Sequence, residues 1–232
     1  MTALTAPPAA PAAAVTTGPV LGRRLAVTAL VLGPVLNSAE SIVARRYLDP
    51  NGTPEERAAD IAAAELPLTL ALAAGIVAIP LMLLAFQALA HLVRPACPRL
   101  AAAGAALTLV GCFGFLAIHV PSVIELAAVK AGEAPTTVAA VLTTVESSPI
   151  GVSLVLSFLL GLFGGVLVLS VGLWRSRAVP RWVPVTLVAF LVLDFLADGR
   201  TGGIDPHPLW VAACLGAAAV VARRTDREWA NG

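Results

Sequence analysis

The chain has 232 residues, of which 58% are hydrophobic, 12% charged and 5% aromatic, with a mean hydropathy of +0.89 and a net charge of +1. That composition excludes a soluble globular domain. The near-neutral balance, with arginines spread along the chain, excludes a nucleic-acid partner, and three cysteines exclude a disulfide framework.

The first nineteen residues are mostly Ala, Pro and Thr without charge or apolar period, so residues 1–22 are expected to be a disordered tail. They are no secretory signal, because Arg23 and Arg24 follow them and no cleavage-type region succeeds a short apolar core. Six apolar stretches come next, at 24–44, 66–93, 99–120, 150–174, 181–198 and 207–223, each long enough or nearly so to cross a bilayer. Reading them as spans sorts the ionic residues. Ten of the fifteen basic residues (Arg23, Arg24, Arg94, Arg99, Arg175, Arg177, Arg181, Arg223, Arg224 and Arg227) fall on one side, and twelve of the fourteen acids fall at or near the other. The positive-inside rule then places both termini in the cytoplasm. The expected fold is an all-α polytopic transmembrane bundle over 23–224, with a short cytoplasmic tail at 225–232. Its solvent partner is the lipid bilayer. With one lysine, Lys130, in an Ala-, Val-, Leu- and Arg-rich chain, the expected location is a bacterial plasma membrane.

The inner links, Arg94 to Arg99 and Arg175 to Pro180, are short, which makes the flanking spans antiparallel neighbours. The outer links are longer. Thr53-Pro54-Glu55-Glu56 is a capping-box pattern that starts a helix running into span two, with a bend expected at Pro67. Pro135 to Glu146 places Val138, Val141, Leu142 and Val145 on one face, so a short helix is expected on the outer surface. In span four, Ser153, Ser157, Gly161 and Gly165 recur every four residues as a stripe of small side chains. Close backbone approach of that kind seats a neighbouring helix. A homo-oligomer through span four is the alternative use of the stripe. Gly104, Thr108 and Cys112 form a weaker version in span three. Cys97, Cys112 and Cys214 read as packing residues.

Polar groups inside the spans carry the functional signal, because they are costly in hydrocarbon and tend to face a cavity or partner. Asn37, Glu40 and Ser41 share one face of span one. Span three brings His119 to the same outer level, span five carries Asp194 and Asp198, and Arg200 follows. Glu65 opens span two and His207 opens span six. Glu40 and Asp194 are the candidate proton donors, a carboxylic acid in an apolar pocket being suited to that task. Asn37, Ser41, Glu65, His119, Asp198, Arg200 and His207 are candidate ligand contacts. The structural alternatives for Glu40 are pairing with Arg45 or Arg200 or snorkelling to the surface, and His207 is expected to cap span six. Gln87 and His91, near the inner end of span two, read as interfacial. The two distant histidines lack a metal-ligand spacing, so no metal or other cofactor is expected.

The run Gly172-Leu173-Trp174-Arg175-Ser176-Arg177-Ala178-Val179-Pro180-Arg181-Trp182, the turn His91-Leu92-Val93-Arg94 and the outer Val145-Glu146-Ser147-Ser148-Pro149 resemble small multi-pass membrane proteins of actinobacteria. The resemblance covers about Arg23 to Val221 and implies a plasma-membrane helical bundle. It transfers no catalytic residue, because those proteins have no assigned activity. Three functions follow from the residues. The first is a bundle that binds a lipid-like or other amphiphilic small molecule in an acidic outer pocket. The second is a membrane-embedded enzyme of the isoprenoid or epoxide cyclase type, using intramembrane carboxyls, against which stands the small share of aromatic residues available to steady a carbocation. The third is a proton- or cation-linked transporter, for which no inverted repeat is visible.

Overall fold

The computed structural model describes residues 21–49, 51–196 and 205–231. The chain is helical throughout these residues. Ten α-helices follow in order: α1 (Arg23–Tyr47), α2 (Pro54–Ala63), α3 (Glu65–Val93), α4 (Pro98–Ala131), α5 (Pro135–Ser147), α6 (Pro149–Phe158), α7 (Gly164–Ser176), α8 (Trp182–Leu196), α9 (His207–Arg223) and α10 (Asp226–Asn231). A π turn, Leu159–Phe163, joins α6 to α7 as one rod.

Four rods are long and apolar enough to cross a membrane: α1, α3, α4 and the composite Pro149–Ser176. Helices α8 and α9 are apolar but shorter, with 15 and 17 residues. At 1.5 Å per residue their described parts reach about 22 and 26 Å, against a hydrocarbon core of ~30 Å. Four long rods and two shorter apolar helices thus correspond to the six stretches read from hydropathy, and length alone qualifies the four.

The helices stand in a ring. α1 packs on α3, α3 on α4, α4 on the composite rod, α7 on α8, α8 on α9, and α9 back on α1. Two bounds differ from the sequence reading, each for a local reason. The helix begun by the capping box stops at Ala63, four residues before the expected bend, with Ala64 at φ −121°. Pro67 has no N–H for the Ala63 carbonyl and its ring crowds that group, so the break falls one turn upstream of the proline. Helix α4 instead runs through Pro121 for another ten residues and ends at Gly132, φ 72°. Its length of about 51 Å carries it well past a hydrocarbon core. There it packs with α2 and α5 as a second layer, fastened by Arg57 to Glu125 through two 2.8 Å hydrogen bonds. The Glu125 hydrogen bonds outweigh burial and raise the Arg57 pKa.

Small residues set the closest approaches. A Cβ on Gly111 would overlap the backbone of Leu162 and Gly161, and one on Gly165 would lie 2.6 Å from Thr108. The expected stripe is only half a stripe, however. Gly161 and Gly165 are buried on α4, while Ser153 is exposed and its hydroxyl, like that of Ser157, donates to its own helix. The π turn explains this. One residue inserted into the turn shifts everything before it around the rod.

Candidate functional site

Near the α2/α5 end the ring does not close. A cavity of about 330 Å³ lies among α1, α3, α4, the composite rod, α8 and α9. Helix α1 supplies Asn37, Glu40 and Ser41, three and four residues apart and so on one side of the helix. His119 comes from α4, Asp194 from α8 and His207 from the start of α9. Six of the nine sequence-predicted site residues thus line one space. Glu65 does not; it sits in the outer layer, 2.7 Å from Lys130. Asp198 and Arg200 lie outside the described residues.

The Glu40 carboxylate occupies a notch in α3 that exists because residue 75 is glycine. A Cβ there would coincide with the carboxylate oxygens. Among the described residues the partner of Glu40 is His119 rather than Arg45: the His119 Nε2 lies 3.0 Å from Oε1 and 3.2 Å from Oε2. The other ring nitrogen, Nδ1, lies 2.7 Å from the Phe115 carbonyl oxygen. A carbonyl can only accept, so Nδ1 carries a hydrogen. Nε2 and the carboxyl group then need one further hydrogen between them. Imidazolium with carboxylate, or imidazole with carboxylic acid, both satisfy the contact. The pair is a one-proton unit.

Asp194, which has no cation near it in sequence, lies 3.6 Å from Arg45. Arg45 is 43% exposed and Asp194 24%, against 9% for His119 and 17% for Glu40. The ion pair is therefore nearer solvent and the one-proton pair is deeper. At the start of α9, the Asp205 carboxylate accepts from the backbone N–H of His207 at 3.0 Å and meets its ring Nδ1 at 2.7 Å. Burial pushes the Asp205 pKa up, but these hydrogen bonds, with the charges of His207 and Arg45, outweigh it and hold the carboxyl below its usual range. His207 does not cap the helix, which it opens after Pro206 with Asp205 accepting from its N–H; its buried ring packs edge-on to Phe190 and lines the cavity.

The same cavity is lined by six aromatic rings: Phe86, Phe115, Phe158, Phe163, Phe190 and Trp210. They include five of the chain's seven phenylalanines, which removes the compositional objection to an aromatic-lined site. Phe115 stacks on Phe158 at 5.1 Å, Phe158 meets Phe163 edge-on at 5.7 Å, and Trp210 lies 5.5 Å from Phe190 and 5.6 Å from Phe86. In a regular α-helix Phe158 and Phe163 would point about 140° apart. The π turn puts both on the cavity wall. No spacing rule applied to the sequence finds these rings, since they come from five separate helices. The Asp205-Pro206-His207 turn was findable, because Asp two residues before a helix start commonly accepts from its backbone.

Helix α6 packs on α4 and α5, and α8 packs on α9 and α7, so among the described residues the two helices flank the cavity with a gap between them rather than packing along each other. Three polar groups in the wall lack a protein partner among the described residues: the Asn37 amide, the Ser41 hydroxyl and the indole N–H of Trp210. A larger groove of about 430 Å³, along α3 and α4 at the other end, presents Gln87 and His91. Both are engaged already, Gln87 with the Ala105 carbonyl at 3.4 Å and His91 with the Trp229 carbonyl at 2.7 Å. Among the described residues no His, Cys, Asp and Glu side chains gather as a metal site, and all three cysteines are free thiols.

The family described as Domain of unknown function (DUF4386) matches residues 25–222, and the chain belongs to that family. The matched stretch takes in every helix of the cavity wall. No curated protein and no solved structure matches the chain.

Proposed function

We propose that this DUF4386 protein is a six-span bacterial plasma-membrane protein, with both termini cytoplasmic, that binds a lipid-like amphiphile in the cavity between α1, α4 and α8. The observation that carries the reading is the combination of two chemistries in one wall. Hydrogen-bonding groups from α1, α4, α8 and α9 share it with six rings, two of which pack edge-on to His119 and His207. Sites for small molecules are apolar with a few placed polar groups, and about 330 Å³ is within their usual size. The gap between α6 and α8 offers a route from the bilayer that a water-soluble ligand would not need. The test is native mass spectrometry of protein extracted in mild detergent, with lipids of the eluate identified separately. Wild-type protein retains a discrete lipid-like species, and Glu40→Gln with Phe163→Ala releases it. Wild-type protein that carries none, and takes up none from added membrane lipids, contradicts the reading.

A second reading is favoured by the one-proton pair. A proton held between Glu40 and His119 and facing aromatic rings is an arrangement suited to acid-initiated cyclisation of an isoprenoid or epoxide. The proton would start the reaction and the ring faces would steady the cation. In this reading Glu40 is the donor, while Asp194 is engaged with Arg45. Glu40→Gln then abolishes product formation in a folded protein. Undiminished turnover of that variant would remove the reading.

A further inference from the structure

Three acid–base pairs have a member in the cavity wall: Glu40 with His119, Asp194 with Arg45, and Asp205 with His207. Each acid already has a basic partner. A ligand bearing a full charge would have to break one of these pairs or sit unmatched beside them in a poorly solvated space, and both are unfavourable. What the wall offers without disturbing a pair is hydrogen bonding. Asn37 is only 8% exposed, its amide lines the cavity, and it has no protein partner among the described residues. Ser41 stands one turn further along the same face, and the Trp210 indole N–H is buried without a partner. Buried polar groups are nearly always satisfied, so an unsatisfied set lining one cavity points to what fills it.

The hydrocarbon part of the ligand contributes little discrimination by itself. A molecule arriving through the α6–α8 gap leaves lipid tails rather than water, so transfer to an apolar wall gains no hydrophobic free energy. Selection must rest on the head group and on contact with the rings. We infer that the amphiphile, whose binding is the reading this rests on, is an uncharged lipid carrying a hydroxyl, ether or carbonyl oxygen. Its oxygen is held by the Asn37 amide and Ser41 hydroxyl beside the Glu40–His119 proton. Its chain lies among Phe158, Phe163 and Phe190 toward the gap.

The experiment compares three probes with one chain and different heads: farnesol, farnesylamine and farnesoate, added to the full-length protein in phosphatidylcholine nanodiscs at pH 7. Binding is read by native mass spectrometry and by displacement of any co-purified lipid. Farnesol is expected to bind at least about tenfold more tightly than either charged probe, the usual penalty for an unmatched buried polar group. Asn37→Leu, close in volume, is expected to lower farnesol binding about tenfold, with the melting temperature held as the check on folding. The wild-type head-group series does not depend on that variant folding. Equal or tighter binding of the amine or the carboxylate overturns the uncharged-head assignment while leaving an amphiphile site in place. Failure of all three probes, with no co-purified lipid, overturns both.

Discussion

At the end of the ring that carries the termini, Val93 of α3 packs into the space left by Gly172 of α7, across the middle of the bundle. Leu89, Leu92, Leu169, Leu173 and Val183 are fully or almost fully buried around that contact. Helix α10 then covers the end. Its Trp229 is 1% exposed, donates from its indole to the Leu21 carbonyl at 2.8 Å, and lies 4.2 Å from the His91 ring. At the opposite end the same rods border a cavity with the buried Trp210 indole N–H left unpaired and a π turn in its wall. At the first end the polar groups of the groove along α3 and α4 are already engaged, while at the other the cavity wall leaves polar groups without a protein partner among the described residues. Departures of that kind concentrate at functional sites, and here they coincide with the residues that sequence reasoning had singled out.

The contrast can be broken from either end, and the largest expected effect is at the packed one. Trp229→Ala removes a fully buried ring and its hydrogen bond, a loss of about 3–5 kcal/mol. The melting temperature in detergent should fall strongly, while ligand retained per folded molecule should not change. If retention falls with stability unaffected, the termini end belongs to the site. Gly75→Leu is the converse. The new side chain must displace the Glu40 carboxylate, at about 1–3 kcal/mol of overpacking. Retained lipid should be lost even where the protein still melts cooperatively, and retention at the wild-type level would show that Glu40 does not hold the head group.

How much of this was legible beforehand varies from residue to residue. Asn37, Glu40 and Ser41 were placed together by helical period alone, and the capping box at Thr53 formed as its pattern required, with Glu56 accepting from the Thr53 N–H at 2.8 Å. The partner of Glu40 was not legible, because His119 is remote in sequence and becomes its neighbour only when α1 and α4 meet across Gly75. The π turn was invisible to a four-residue spacing rule, and it is why Ser153 does not share the buried face of Gly161. Composition misled on the rings. A 5% aromatic content averages over the chain, whereas five phenylalanines and Trp210 converge on one cavity. The C-terminal residues, read as a tail, form the docked helix α10. Thr225 and Glu228 make a capping box there that the T-x-x-E pattern already displayed.

Smaller effects sharpen the comparison. Arg57→Ala unfastens α2 from α4 and leaves Glu125 without its bidentate partner. Because both groups are partly exposed, the expected loss is about 1 kcal/mol. Amide hydrogen exchange should speed up in α2 with no change in α10. The smallest effect is acid loosening of α10. A hydrogen bond from Arg23 and its charge hold the Asp226 carboxyl below its usual range, and the backbone N–H and hydroxyl of Thr225 do the same for Glu228. Carboxyls depressed on folding contribute stability that is present above the ordinary carboxylate pKa of about 4 and is lost as pH falls through the lower folded value. Below about pH 4, exchange in α10 should accelerate before exchange in α7. A loosening seen instead on raising the pH would have the wrong sign for these groups.

The most direct test of a ligand-holding end and a packed end is site-specific photo-crosslinking in the native membrane. A benzophenone side chain is placed at Phe163 in the cavity wall or at Leu30, which is fully buried in the core. Irradiation followed by intact-mass analysis should give one discrete lipid adduct at position 163 and none at position 30. Absence of an adduct at position 163, or the same adducts at both positions, would contradict the claim that this cavity is a lipid-binding site.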